Sequence, residues 1–181
     1  NGDHWPDIAV LDRWGIYVLL ATGNGKFDAP TTQPTGTGLE NILLRDLDGD
    51  GYLDLAGIAR DFDTVTATVE VQRGLGDGTF AGSSAHPIRY GDMPMEAGDL
   101  DGDGHPELVT AHPFESGVKV LWNSDNASYP SQTDYATAAG ADYLALGDLD
   151  NNGKVDILAA NVDTSSRVST VNVLLNDGNG S

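Results

Sequence analysis

Cysteine is absent, so no disulfide contributes to the fold, and cysteine usage leaves both reducing and oxidising compartments open. Basic residues are scarce. Nine Lys and Arg stand against 28 Asp and Glu, for a formal charge of −19. A surface of that sign repels nucleic-acid phosphates and anionic membranes, which argues against both as partners. No apolar stretch approaches the ~18 residues a membrane span needs, and the first residues do not read as a signal peptide. No segment carries the apolar period of an amphipathic helix. No serine–histidine–acid pattern and no histidine cluster suited to zinc is found, so the chain reads as a non-enzyme.

What the sequence does contain is acid, glycine and repetition. Asp46-Leu-Asp-Gly-Asp-Gly-Tyr-Leu-Asp54 returns as Asp99-Leu-Asp-Gly-Asp-Gly-His-Pro-Glu107 and again as Asp148-Leu-Asp-Asn-Asn-Gly-Lys-Val-Asp156. The opening Asn1-Gly-Asp-His-Trp-Pro-Asp7 fits the same frame from its third position. A period of about fifty residues marks a repeat architecture. Each acidic stretch leads into a short apolar run: Ile8 to Leu11, Leu55 to Ala59, Leu108 to Ala111, Ile157 to Ala160. A second run follows. Val69 and Val71 alternate there with Glu70 and Gln72, and Val171, Val173 and Leu175 with Asn172 and Leu174. These are strand signals. Gly23-Asn-Gly25, Gly76-Asp-Gly78 and Asp177-Gly-Asn-Gly180 then supply turns needing positive φ, with Ser124-Asp-Asn126 a weaker version. Ile42 to Leu44 and Tyr143 to Leu146 precede the acidic stretches. The unit is four short strands with the acidic loop between the first two, which at this period reads as a propeller blade; an all-β sandwich is the blander alternative, and it gives no reason for the period.

The acidic loop has the composition of a calcium site. Carboxylates at positions 1, 3, 5 and 9 can point inward while position 7 lends its backbone carbonyl, within the six to eight oxygens calcium accepts. Gly51, Gly104 and Gly153 at position 6 permit the turn. Without a cation the clustered carboxylates repel one another. An EF-hand is ruled out: it requires a bidentate glutamate at position 12, where Gly57, Thr110 and Ala159 stand, and it leads into a helix.

The motif Asp-x-Asp-Gly-Asp-Gly-x-x-Asp-Leu, with a downstream Gly-Asn-Gly-x-Phe or Gly-Asp-Gly-Thr-Phe turn, resembles the FG-GAP or VCBS repeats of integrin α-subunit propellers, integrin-like lectins and secreted bacterial proteins. The resemblance implies an all-β fold, a β-propeller of four-stranded blades, about seven when complete. This chain would cover about four: a blade remnant at 1–38, blades at 39–91 and 92–140, and a partial blade at 141–181. The missing blades would come from a longer parent chain or a second chain.

Carried over residue by residue, the resemblance assigns calcium to Asp46, Asp48, Asp50 and Asp54 with the Tyr52 carbonyl. The next set is Asp99, Asp101, Asp103 and Glu107 with the His105 carbonyl. The third is Asp148, Asp150, Asn152 and Asp156 with the Lys154 carbonyl, and the incomplete one is Asn1, Asp3 and Asp7 with the Trp5 carbonyl. Glu107 departs from the usual aspartate, and Asn151 and Asn152 point to a weaker third loop.

Function is read as a calcium-stabilised, secreted or extracellular binding module for carbohydrate or protein. The alternatives are a non-catalytic propeller of a secreted polysaccharide-degrading enzyme and an oligomeric scaffold. In a blade, the acidic loops and glycine turns share one rim. The opposite rim receives Arg13, Trp14, Arg60, Phe62, His112, Phe114 and Arg167. Aromatics beside polar groups there can stack on sugars or anchor a protein; packing between blades and an ordinary loop role for His112 are the plainer readings.

Overall fold

A computed structural model describes residues 1–12, 14–33, 38–163 and 168–178. Arg13 and Arg167 lie outside them. The fold is all-β, with four antiparallel sheets of three or four strands. The chain divides into two compact units, Asn1–Pro87 and Ile88–Ser181, each holding two sheets.

In the first unit β1 (Ile8–Asp12), β2 (Gly15–Leu19) and β3 (Thr31–Gln33) form one sheet in that order. The strands β4 (Leu39–Arg45), β5 (Asp54–Asp61), β6 (Thr66–Gly74) and β7 (Phe80–Ile88) form the next. Each strand pairs with its neighbour in sequence, so every sheet is a meander. Period-two patterning orients the sheets. Ala9 and Leu11 pair with Val18 and Ile16, and this face packs on Leu39, Leu55 and Ala59 of the second sheet. Each fully buried Leu or Ile contributes roughly 2 kcal/mol. Gln33 also spans the two sheets, accepting from the Phe80 amide at 2.8 Å and donating to the Phe80 carbonyl at 3.2 Å.

The second unit repeats the plan. Its first sheet is β8 (Met95–Gly98), β9 (Glu107–Ala111), β10 (Val118–Trp122) and β11 (Ser131–Tyr135). Its second is β12 (Tyr143–Gly147), β13 (Asp156–Asp163) and β14 (Val168–Leu174). Val109, Ala111, Val118 and Val120 pack against Leu144, Ile157 and Ala159. Strands β5 and β9 are buried along most or all of their length, as central strands covered on both faces are.

The last sheet shows which face of its alternation is covered. In β14 the inward residues are Asn172 and Leu174, paired with Ala159 and Ile157, whereas Val171 and Val173 are exposed. They line up with Ala160 and Leu158 of β13 and then with Tyr143 and Ala145 of β12, giving a second, apolar and uncovered face. Alternation fixes which residues share a face; it does not say which face is covered when both are apolar.

Candidate metal centre

Each acidic loop joins the first two strands of its sheet: residues 46–53 between β4 and β5, 99–106 between β8 and β9, 148–155 between β12 and β13. The loop closes because two positions adopt left-handed backbone. Position 6 is glycine in these three loops, with φ of +89° at Gly51 and +92° at Gly104, and His4 takes it in the N-terminal copy at φ +69°. Position 4 is Gly49, Gly102 and Asn151, and Asn151 reaches φ +63°, which asparagine tolerates better than most residues. The third loop thus keeps the turn geometry of the other two.

Backbone amides aim the carboxylates. Asp46 accepts from Gly49 N at 2.8 Å and Gly51 N at 2.9 Å; Asp99 accepts from Gly102 N and Gly104 N at 2.7 and 3.0 Å. Position 3 accepts from position 5 (Asp48 from Asp50 N, Asp101 from Asp103 N, Asp150 from Asn152 N). Position 5 accepts from position 7 (Asp50 from Tyr52 N, Asp103 from His105 N, Asn152 from Lys154 N). These amide dipoles offset part of the repulsion among the acids. The Tyr52 amide, followed by Arg73, holds the Asp50 carboxyl below the ordinary carboxylate range, and the Trp5 amide does the same for Asp3.

Position 9 works differently. Asp54, Glu107 and Asp156 are fully buried. Each accepts from the amide of position 2: Leu47, Leu100 and Leu149, at 2.7–2.8 Å. Each also accepts from an amide at or just past the end of the strand that follows its own in the meander: Gly74, Asn123 and Asn176. Asp7 takes the Ala21 amide in the same way. The ninth acid therefore clasps the loop to the sheet. Burial raises the Asp54 carboxyl and pushes Glu107 up to about 7.

Side-chain oxygens converge in three loops. Asp46, Asp48 and Asp50 form one set, Asp99, Asp101 and Glu107 a second, Asp148, Asp150 and Asp156 a third, with ligand atoms within 4.8 Å of one another. Oxygens bound to one calcium at about 2.3–2.6 Å lie no further apart than roughly twice that distance, so all three sets fit the ion. The donors are oxygen only, the chemistry of a hard cation. Asp54 and Asp103 fall outside these sets. Asn1, Asp3 and Asp7 are linked by hydrogen bonds: Asn1 Nδ2 donates to Asp3 at 3.1 Å, and the Asn1 amino group to Asp7 at 3.2 Å.

The position 7 side chain leans over the glycine turn of its own sheet. Trp5 covers Gly23 and Tyr52 covers Gly76, so closely that a Cβ on Gly76 would sit 2.3 Å from the Tyr52 ring. Lys154 donates to the Asp177 carbonyl at 2.9 Å, and His105 lies 3.6 Å from Asp125. Acidic loop and turn thus meet at one end of each sheet. The turn without glycine forms because Asn126 and Ala127 themselves take φ near +53°.

At the other end, Trp14, Phe62 and Phe114 are exposed in the hairpin turns after β1, β5 and β9, by 67, 66 and 92%. Arg60 is ion-paired to Glu40 at 3.1 Å, helped by a bulge between Leu39 and Asn41. His112 is buried, and both ring nitrogens engage backbone: Nδ1 accepts from Phe114 N and Glu115 N, and Nε2 donates to the Tyr90 carbonyl.

One residue that meets the loops had no counterpart in the sequence reading. Arg73, at the end of β6, places Nε 2.7 Å from Asp48 and Nη2 2.9 Å from Asp50. The signal for it was its place in the repeat, where the other sheets have Leu20, Trp122 and Leu175.

The FG-GAP-like repeat model matches residues 1–57, 46–110 and 99–159, each span beginning on an acidic loop. The chain belongs to the FG-GAP repeat family. Repeats of this family are typically non-catalytic. No curated protein matches this FG-GAP chain. Among solved structures, a chain of a mutant Photorhabdus luminescens Tc holotoxin pore matches with a TM-score of 0.57 and 17% identity. The match covers 95% of the FG-GAP chain and 8% of the toxin chain, and the likeness is one of fold. Among the described residues no helix is long and apolar enough to cross a membrane.

Proposed function

We propose that the chain is part of an integrin-like β-propeller of about seven blades, serving as a calcium-stabilised extracellular module that recognises carbohydrate or protein. The observation that carries the calcium reading is the convergence of carboxylate oxygens in three loops at equivalent places in three sheets. The assigned ligands are Asp46, Asp48, Asp50, Asp54 and the Tyr52 carbonyl; Asp99, Asp101, Asp103, Glu107 and the His105 carbonyl; and Asp148, Asp150, Asn152, Asp156 and the Lys154 carbonyl. A fourth, partial set comprises Asn1, Asp3, Asp7 and the Trp5 carbonyl. Bound calcium would neutralise the acids and fix the first hairpin of each blade, so its role is structural.

Blade boundaries follow the repeat, at 38/39, 91/92 and 140/141. Support for further blades comes from the uncovered apolar face of Tyr143, Val171 and Val173, which another blade of the parent chain or of a second chain would cover. The exposed Trp14, Phe62 and Phe114 make the hairpin tips the preferred ligand surface, to which Arg13, the residue before Trp14 in sequence, is also assigned. Arg60 and His112 act there as supports.

Melting with and without chelator at matched ionic strength tests the metal role. Calcium should raise Tm, and an insensitive Tm with no metal by elemental analysis refutes it. A glycan array on calcium-loaded protein divides the ligand classes, since silence across diverse sugars favours a protein ligand. A second reading, a non-catalytic propeller within a larger secreted assembly, draws on the fold likeness to a toxin chain of which this chain covers 8%.

A further inference from the structure

The three complete loops share a backbone but differ in what already occupies the second oxygens of their inner acids. Position 3 and position 5 spend one oxygen each on a backbone amide. In the 99–107 loop the remaining oxygens of Asp101 and Asp103 have no protein partner among the described residues. In the 148–156 loop Asn152 Nδ2 donates to Asp150 at 3.3 Å and to the Asn176 carbonyl at 2.9 Å. In the 46–54 loop both remaining oxygens are taken by one guanidinium, Arg73, at 2.7 and 2.9 Å.

We infer that Arg73 is a built-in counter-cation of the 46–54 loop, competing with calcium for Asp48 and Asp50 and making this loop the least metal-dependent of those with a full set of acids. The inference rests on the calcium reading above. The guanidinium suits the task, since its planar fork matches two carboxylate oxygens and it stays charged at any working pH. Its place is set by the sheet: Gly74, the next residue, donates to Asp54, just as Asn123 donates to Glu107 and Asn176 to Asp156. Position for position, Trp122 and Leu175 stand where Arg73 stands, and neither carries charge. The side chain of Asp48 is almost fully buried while that of Arg73 is 55% exposed, so the arginine reaches in from solvent and can swing out. An incoming divalent ion must displace it and then bind beside a positive charge.

The competition is partial. The arginine end of the pair is half exposed and screened by solvent, so removing Arg73 should tighten calcium at this loop by roughly five- to tenfold and not by orders of magnitude.

The amides of Gly51, Gly104 and Gly153 donate to the first carboxylate of their respective loops. In one calcium titration followed by NMR they therefore report the three loops separately, on the whole chain. With Arg73→Leu, which installs the residue found at 175, the Gly51 midpoint should fall by roughly five- to tenfold. The Gly104 and Gly153 midpoints should stay fixed and serve as the folding control. Arg73→Lys, which keeps the charge and loses the fork, should fall between wild type and Arg73→Leu. An unchanged Gly51 midpoint in Arg73→Leu overturns the inference and leaves the calcium reading standing. Absence of any calcium-dependent shift at all three glycines, in wild type and variant alike, overturns the calcium reading itself and the inference with it.

Discussion

The Phe114 amide donates to Nδ1 of His112 at 3.0 Å, and this bond holds the most exposed aromatic of the chain at the tip of its hairpin. The same bond recurs with a different acceptor. Asp12 takes the Trp14 and Gly15 amides at 2.6 and 3.1 Å, and Asp61 takes those of Asp63 and Thr64 at 2.9 and 3.1 Å. Histidine thus does in the third hairpin what aspartate does in the first two, as a neutral imidazole with its proton on Nε2. His112→Ala should cost about 1–2 kcal/mol in urea unfolding, since two amides lose their acceptor. His112→Asn, which restores an acceptor, should recover part of that loss.

Gly76 and Gly25 allow a paired test. Both have φ near +75°, but a Cβ on Gly25 would meet nothing within 4 Å whereas one on Gly76 would meet the Tyr52 ring. Gly25→Ala should cost about 1 kcal/mol, the left-handed penalty alone. Gly76→Ala should cost about 1–3 kcal/mol more, from crowding. In a Tyr52→Ala background the difference between the two should shrink, which a double-mutant cycle measures.

Glu107 predicts a pH dependence under chelation. Burial raises its carboxyl from the ordinary 4.5 to about 7, against the pull of the Leu100 and Asn123 amides. Between those values the folded chain binds more protons than the unfolded one, so this group's contribution to stability declines as pH rises from about 4.5 through about 7. Glu107→Gln should flatten this slope in urea melts with chelator present. A wild-type slope of the opposite sign in that window, unchanged in Glu107→Gln, would count against a buried, protonatable Glu107.

Asp101→Asn tests the loop with open acid oxygens. It keeps one oxygen for the Asp103 amide while removing a charge facing the metal, so the calcium midpoint at Gly104 should rise by roughly tenfold. The apolar strand β9 should be unperturbed, as read from unchanged amide shifts of Leu108 to Ala111.

The loops were legible in the sequence because their chemistry is local: nine residues carry the turn glycines and the acids that the turn gathers. Strands β5 and β9 were legible as apolar runs between polar loops. Arg73 was not, because it meets Asp48 across the register of β5 and β6, and nothing within either segment marks the pair. The burial of Asp54, Glu107 and Asp156 was hidden for the same reason: the amides they clasp lie some fifteen to twenty residues downstream, at Asn123, Gly74 and Asn176. Arg60 looked like a surface cation until the bulge beside Glu40 brought its partner within 3.1 Å.

Position 7 contributes its carbonyl to the assigned ion set, leaving its side chain outside that set and against the turn. The side chain is tryptophan, tyrosine, histidine and lysine in the four copies, at Trp5, Tyr52, His105 and Lys154. This is the spare letter of an otherwise rigid word. An aromatic, titratable or cationic group can be installed there while the acids below keep their spacing. The end of each sheet that carries the acidic loop can therefore differ in surface chemistry from one copy to the next without renegotiating the fold.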